Sequence, residues 1–283
     1  MGLTGPGTWG PPRDPGEARS LLRRAGDLGV DFFDTADAYG PGVSEELLRD
    51  ALHPFEGIVV ATKGGQIRLG PGKWRRNGRP EHLREACHES LRRLAVDRIG
   101  LYQLHAVDPD VPIEESVGAL ALLRGEGKIE HIGVCNVTVE ELERARAVAD
   151  VASVQNRFSA VDRASQPMLD LCEESGIVFV PWAPLGGGRL AVSRGAIADI
   201  ARRLGVSHAQ VALAWLLHRS PSLLAIPGTR SPGHLEENVG AASLELGPDE
   251  LAALEQPARL GFDARMLARR LRRRARRLGR RLR

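Results

Sequence analysis

Apolar residues along this chain come in two patterns that take turns: short unbroken runs and longer stripes at helical spacing. The runs close at Asp34 (Val30 to Phe33), Lys63 (Ile58–Thr62), His105 (Ile99–Leu104), Asn136 (His131–Cys135), Gln155 (Ala152–Val154), Trp182 (Val178–Pro181) and Pro227-Gly228-Thr229 (Leu223–Ile226). Runs this short and this uniformly apolar predict parallel strands buried on both faces. Between them, helices are predicted over Glu17–Leu28, Ser44–Leu52, Pro80–Leu94, Ile113–Glu126, Val139–Val148, Gln166–Ser175, Ala196–Leu204, His208–Arg219, His234–Ala241 and Asp249–Leu254. In the first, Ala18, Leu21, Leu22, Ala25 and Leu28 share one face, and Gly29 stops it. Gly64–Arg79, carrying Trp74, reads as a long loop, and residues 1–15 as a Gly/Pro-rich one.

Strand and helix in strict alternation predict a parallel α/β fold. No glycine fingerprint follows any strand, and Gly2 to Gly7 has none before it, so a (β/α)8 TIM barrel is favoured over an open dinucleotide-binding sheet. Seven runs are one short of eight. The missing first strand is expected upstream of Met1.

In a parallel barrel all strand C-termini meet at one mouth, where the active site is built. Asp34, Lys63 and His105 should therefore converge although they are far apart in sequence. Tyr39 joins them from the loop after Asp34. Singly, each residue reads equally as an ordinary loop residue; together, at the same end of successive strands, they make a candidate site.

Composition narrows the setting. The chain has 283 residues, 42% of them hydrophobic, enough for one large core. It has no apolar run of about 18 residues, hence no expected membrane span. The first residues lack the charge and apolar stretch of a secretory signal. Three cysteines do not make a disulfide framework, and reduced thiols and a cytoplasmic location are expected. Eight histidines form no HxxxH or HxH pair and the cysteines no CxxC, so no metal site is expected. The net charge of +3 conceals eleven arginines in residues 264–283, so the rest of the chain is net acidic.

DTADAYG, ATKGG, LYQLH, GVCN, SVQN, PWAPLGGG and IPGTR…EEN, in this order and spacing, resemble the aldo/keto reductase superfamily. Within it, the chain is similar to bacterial reductases of the pyridoxal reductase type. The resemblance spans nearly the whole body and implies one barrel domain over residues 1–258, with 259–283 as an Arg-rich extension.

The resemblance implies NADPH as cofactor and reduction of an aldehyde or ketone by hydride transfer. Asp34, Tyr39, Lys63 and His105 fall on the family's acid–base tetrad, with Tyr39 as proton donor. A lysine cation beside a phenol is expected to lower its pKa from about 10. Asn136 and Gln155 match the partners of the nicotinamide carboxamide. Trp182 stands where a stacking aromatic sits, unless it serves the core. Cys135 replaces a common serine. Leu185 and Gly186–Gly188 match the pyrophosphate loop. Gly228, Thr229 and Arg230 match the segment around the adenosine 2′-phosphate, with Ser231 and His234 close by and Glu237 and Asn238 at the adenine. Arg230 reads alternatively as a solvated charge. Trp9, Trp74 and Phe158 line the substrate pocket or anchor loops; an aromatic pocket suits an aromatic aldehyde such as pyridoxal.

Two departures leave an alternative open. A barrel without its first strand has two unpaired edges, so either translation starts upstream or the product is impaired. The tail carries an apolar stripe (Ala264, Leu267, Ala268, Leu271, Ala275, Leu278, Leu282) among its arginines. It reads as an unstructured extension, or as an amphipathic helix for anionic lipid or nucleic acid. A cofactor-binding regulatory or inactive barrel tethered by that tail is the rival to an enzyme.

Overall fold

The computed structural model describes residues 3–188 and 195–256. The arginine-rich extension and part of the segment after Leu185 lie outside the described residues.

Six parallel strands form one curled sheet in the order β1 (Phe32–Asp34), β2 (Val59–Gly64), β5 (Ile99–Leu104), β6 (Ile129–Cys135), β7 (Val151–Gln155) and β8 (Val178–Phe179). Neighbours in the sheet are neighbours among its strands in sequence, as in consecutive staves of a (β/α)8 barrel. The connections are helical: α2 (Val43–Leu52), α3 (Pro80–Leu94), α4 (Ile113–Gly125), α5 (Val139–Val148) and α6 (Gln166–Ser175). Helix α1 (Pro15–Asp27) precedes β1, while α7 (Ala196–Leu204), α8 (His208–Arg219), α9 (Pro232–Gly240) and α10 (Pro248–Glu255) complete the outer layer.

The helices start where local chemistry starts them. The Asp14 carboxylate accepts from the N–H groups of Gly16 and Glu17, with Pro15 at the first position of α1. Thr138 and Glu141 form a capping box on α5, as do Ser207 and Gln210 on α8.

Three predicted elements differ. The long loop after β2 folds into an antiparallel hairpin, β3 (Gln66–Gly70) with β4 (Lys73–Arg76), turned by Pro71-Gly72. It carries four basic side chains, and its alternation with Ile67, Leu69 and Trp74 is too short to mark a strand. The last run, Leu223–Ile226, makes only the bridge Phe179↔Leu223, because among the described residues no strand pairs with its other side. Helix α2 is capped by Gly42 at φ 79°, a left-handed geometry that suits glycine. Ser44 is inside the helix, accepting a hydrogen bond from Thr35 Oγ1.

The period of two along the strands sorts side chains between two environments. Thr62, Tyr102, Leu104 and Val134 lie on the layer between sheet and helices with Leu83, Cys87 and Leu120. Lys63, Gln103, Gly133, Ser153 and Gln155 point inward. The centre of the curled sheet is therefore polar, and its polar groups meet at the C-terminal ends of the strands.

Candidate active site

Four strand ends supply the centre. Lys63 closes β2 with its side chain fully buried, and its ammonium donates to both Asp34 oxygens (2.7 and 2.6 Å) and to the Thr35 carbonyl (2.7 Å). Gln103 and Gln155 each donate an amide N–H to Asp34 Oδ1, at 3.2 and 2.8 Å. Asp34 is thus held by one cation and two amides, as a buried carboxylate requires.

Tyr39 sits in the loop between β1 and α2, with only 7% of its surface exposed. The Lys63 ammonium lies 5.4 Å from the centre of its ring. The His105 imidazole packs edge-on to it, centres 5.7 Å apart. The structure therefore brings Asp34, Tyr39, Lys63 and His105 together.

Electrostatics departs from expectation at one point. Burial pushes the Tyr39 phenol up to about 12 and outweighs Lys63, which pulls the other way. The tyrosine is a neutral phenol across the physiological range, whereas the sequence suggested a lowered value. Burial works against the Lys63 ammonium, but Asp34 and its other neighbours more than offset this and keep it charged. Burial, then Lys63, hold His105 well below its ordinary value, so the imidazole is neutral. Its Nδ1 is buried without a hydrogen-bond partner in the protein.

The next shell is built from Asn136, Trp182 and the N-terminal loop. Asn136 adopts φ 58°, a left-handed geometry that asparagine tolerates, and lies exposed after β6. It donates to the His105 carbonyl (3.1 Å) and accepts from the Trp182 indole N–H (2.9 Å). Gln155 spends its amide N–H on Asp34, which leaves its oxygen as an acceptor. Leu185 is partly buried and precedes a 3-10 turn at Gly186–Gly188.

Gly228, Thr229, Arg230 and His234 lie around the start of α9. Gly228, Arg230 and His234 are exposed, and Thr229 Oγ1 accepts from the Ser231 N–H (3.0 Å). Arg230 forms no ion pair among the described residues. Glu237 and Asn238 follow, partly buried, on the same helix.

The three aromatic candidates separate. Trp74 stands edge-on to both Tyr39 (6.5 Å) and His105 (6.1 Å), while keeping 38% of its surface exposed. Trp9 is equally exposed and bridges Gly40, next to Tyr39. Phe158 is fully buried, stacked on Trp215 and edge-on to Phe179. It is a core residue rather than a pocket wall, because its loop turns inward under Trp182.

Sequence reasoning missed Gln103, Asp37 and Arg68. Gln103 sits in LYQLH one position before the expected end, and only strand parity aims it at Asp34. Asp37 Oδ1 is buried without a partner, and burial, then Glu45, push the carboxyl up to about 8. Arg68 lies in the unexpected hairpin. No group of three or more potential metal ligands occurs among the described residues. No helix there is long and apolar enough to cross a membrane.

A family model described as the aldo/keto reductase family matches residues 1–258. The chain is 43% identical over 259 residues to an uncharacterized oxidoreductase of Schizosaccharomyces pombe, covering 92% of this chain and 85% of that one. It is 39% identical over 266 residues to pyridoxine 4-dehydrogenase of Escherichia coli, covering 92% and 93%. Among solved structures it resembles a glycerol dehydrogenase from Gluconobacter oxydans, with a TM-score of 0.80, 29% identity and coverage of 88% and 87%. It also resembles an aldo-keto reductase from Klebsiella pneumoniae in complex with NADPH, with a TM-score of 0.77, 27% identity and coverage of 91% and 89%.

Proposed function

The chain belongs to the aldo/keto reductase family, and we propose that it reduces an aldehyde or ketone to the alcohol, with Tyr39 giving the proton. The observation that carries this is the buried gathering of a neutral phenol, an ammonium, a carboxylate and a neutral imidazole. A carbonyl oxygen gains negative charge as its carbon is reduced. A phenol held neutral can hand it a proton, and a fixed cation beside that phenol stabilises the phenolate left behind. Asp34 keeps the cation in place. His105, neutral and packed edge-on to the Tyr39 ring, would orient the substrate oxygen beside that phenol.

NADPH is the cofactor in this reading, and when bound it supplies the hydride. The residues present fit it. Gln155 and Asn136 would hold the nicotinamide carboxamide, and Trp182, bonded to Asn136, would be the stacking surface. Leu185 and the glycine turn after it would lie against the pyrophosphate, where missing side chains allow close approach. Arg230, exposed and without an ion pair among the described residues, suits the 2′-phosphate; Gly228, Thr229 and His234 would lie around it, and Glu237 and Asn238 toward the adenine.

The substrate we favour is a planar heteroaromatic aldehyde of the pyridoxal type. Trp9 and Trp74 beside Tyr39 support it, as does the likeness to a pyridoxine 4-dehydrogenase. The test is the fall in NADPH absorbance with a panel of aldehydes that includes pyridoxal. Turnover with at least one aldehyde, lost in Tyr39→Phe while NADPH still binds, is expected. No turnover with any of them, or an undiminished Tyr39→Phe enzyme, overturns the proposal.

A further inference from the structure

Arg68 is an arginine without a carboxylate. On β3 it faces Trp74 of β4 directly across the hairpin. Its guanidinium carbon lies 3.7 Å from the centre of one Trp74 ring and 5.8 Å from that of Trp9. Its Nη1 donates to the carbonyls of Thr8 (2.7 Å) and Ala38 (3.3 Å), and its Nη2 to those of Gly7 (2.6 Å) and Gly70 (3.2 Å). The residue is only 8% exposed, and it forms no ion pair among the described residues.

One planar group therefore ties together three segments: the N-terminal loop, the loop that ends in Tyr39, and the hairpin. Its edge satisfies four carbonyls and its face lies on an indole. A guanidinium can do both at once, whereas an ammonium can do neither in plane. The same indole stands roughly perpendicular to the rings of Tyr39 and His105, centres 6.5 and 6.1 Å away. The side chain that Arg68 stacks on is therefore the one beside the reacting groups.

We propose that Arg68 is a positioning residue that sets substrate specificity, by holding Trp74 and Trp9 as a fixed aromatic wall beside Tyr39 and His105. The wall selects planar aromatic carbonyl substrates over small aliphatic ones. This rests on the reductase reading above. Arg68 itself touches neither substrate nor the reacting atoms.

The experiment uses the full chain, with benzaldehyde and propanal as probes. Arg68→Lys and Arg68→Met should raise KM for benzaldehyde by about tenfold or more, and change that for propanal by less than about threefold. The affinity for NADPH, read by protein fluorescence quenching, should stay unchanged. In a Trp9→Phe and Trp182→Phe background, where the buried Trp215 is the one other tryptophan, Arg68→Lys should raise the fraction of emission that acrylamide quenches, and Trp74→Leu should abolish that rise. Arg68→Lys should add little to benzaldehyde KM once Trp74→Leu is present. If the arginine variants fail to fold, Trp74→Leu alone must reproduce the loss of selectivity. Equal effects on both aldehydes, an undiminished Arg68→Lys effect in Trp74→Leu, or unaltered selectivity in Trp74→Leu overturns the proposal. An unaltered chain that turns over neither these nor any other aldehyde instead overturns the reductase reading, and this inference with it.

Discussion

The Lys63 ammonium lies 2.6 Å from Asp34 Oδ2, with the lysine side chain wholly out of solvent and the aspartate 9% exposed. Two opposite charges at that depth stabilise each other only while both are present. Lys63→Met should destabilise the fold by about 3–5 kcal/mol, since it leaves a buried carboxylate with only amide partners. Lys63→Met with Asp34→Leu should recover most of that loss, but no turnover. Urea denaturation of both variants checks this. A single variant as stable as the unaltered chain would remove the argument.

In the proposed reaction Tyr39 carries the pH dependence. With the phenol raised to about 12 by burial, it is protonated throughout the neutral range. Reduction, which needs the phenol, should have a flat kcat between about pH 6 and 9. Alcohol oxidation, which needs phenolate, should rise by about tenfold per pH unit over the same interval. Initial rates in both directions decide it, and a bell near neutrality in the reductive direction would contradict the assignment.

Asp37 should make the fold less stable as pH rises. Its carboxyl is raised from an ordinary 3.8 to about 8, first by burial and then by Glu45. Between those values the folded chain holds a proton that the unfolded chain has lost. The unfolded state therefore binds fewer protons, and stability falls with increasing pH across that window. Asp37→Asn removes the effect. The variant should gain about 5 kcal/mol over the unaltered chain at pH 8.5 and about 2 kcal/mol at pH 5. Thermal or urea unfolding at the two pH values measures the difference; a gain independent of pH would show that titration is not the cause.

Gly133 leaves room for the carboxylate's amide support. A Cβ there would come within 2.4 Å of Ser153 Oγ and 2.8 Å of Gln103 Cγ. Gly133→Ala should cost about 1–3 kcal/mol and push Gln103 away from Asp34. Ser153→Ala in the same chain should restore part of the stability, because it removes the nearer atom. Chemical denaturation of the single and double variants tests the pair.

Arg230→Ala should raise KM for NADPH by about tenfold or more and leave that for NADH nearly unchanged, because only the former carries the extra phosphate. Parallel KM measurements with the two nucleotides check this. An equal loss with both would place Arg230 elsewhere.

Much of this was legible along the chain. Apolar runs separated by helical stripes marked out the staves of the barrel, since each pattern reflects a local geometry that repeats every few residues. Strand ends then named Asp34, Lys63 and His105, because a parallel sheet puts all its C-termini on one side. Arg68 had no such mark. Its partners are mainly backbone carbonyls, two of them about sixty residues earlier, and a carbonyl acceptor leaves no trace in residue type. The hairpin that carries it was equally silent, as its alternation of basic and apolar residues is only three residues long in each strand and its buried member is the arginine.

By itself, then, the order of residues determined the six sheet strands, the helices between them and the side chains at the strand ends, since these follow from neighbours within a few positions. Only the tertiary structure decided how deeply those side chains are buried, and burial more than any neighbouring charge keeps Tyr39 a phenol against the pull of Lys63. It likewise took Phe158 into the core beside Trp215 and left Trp74 at the mouth. Desolvation depends on everything that packs around a group, and that is assembled from segments more than fifty residues apart.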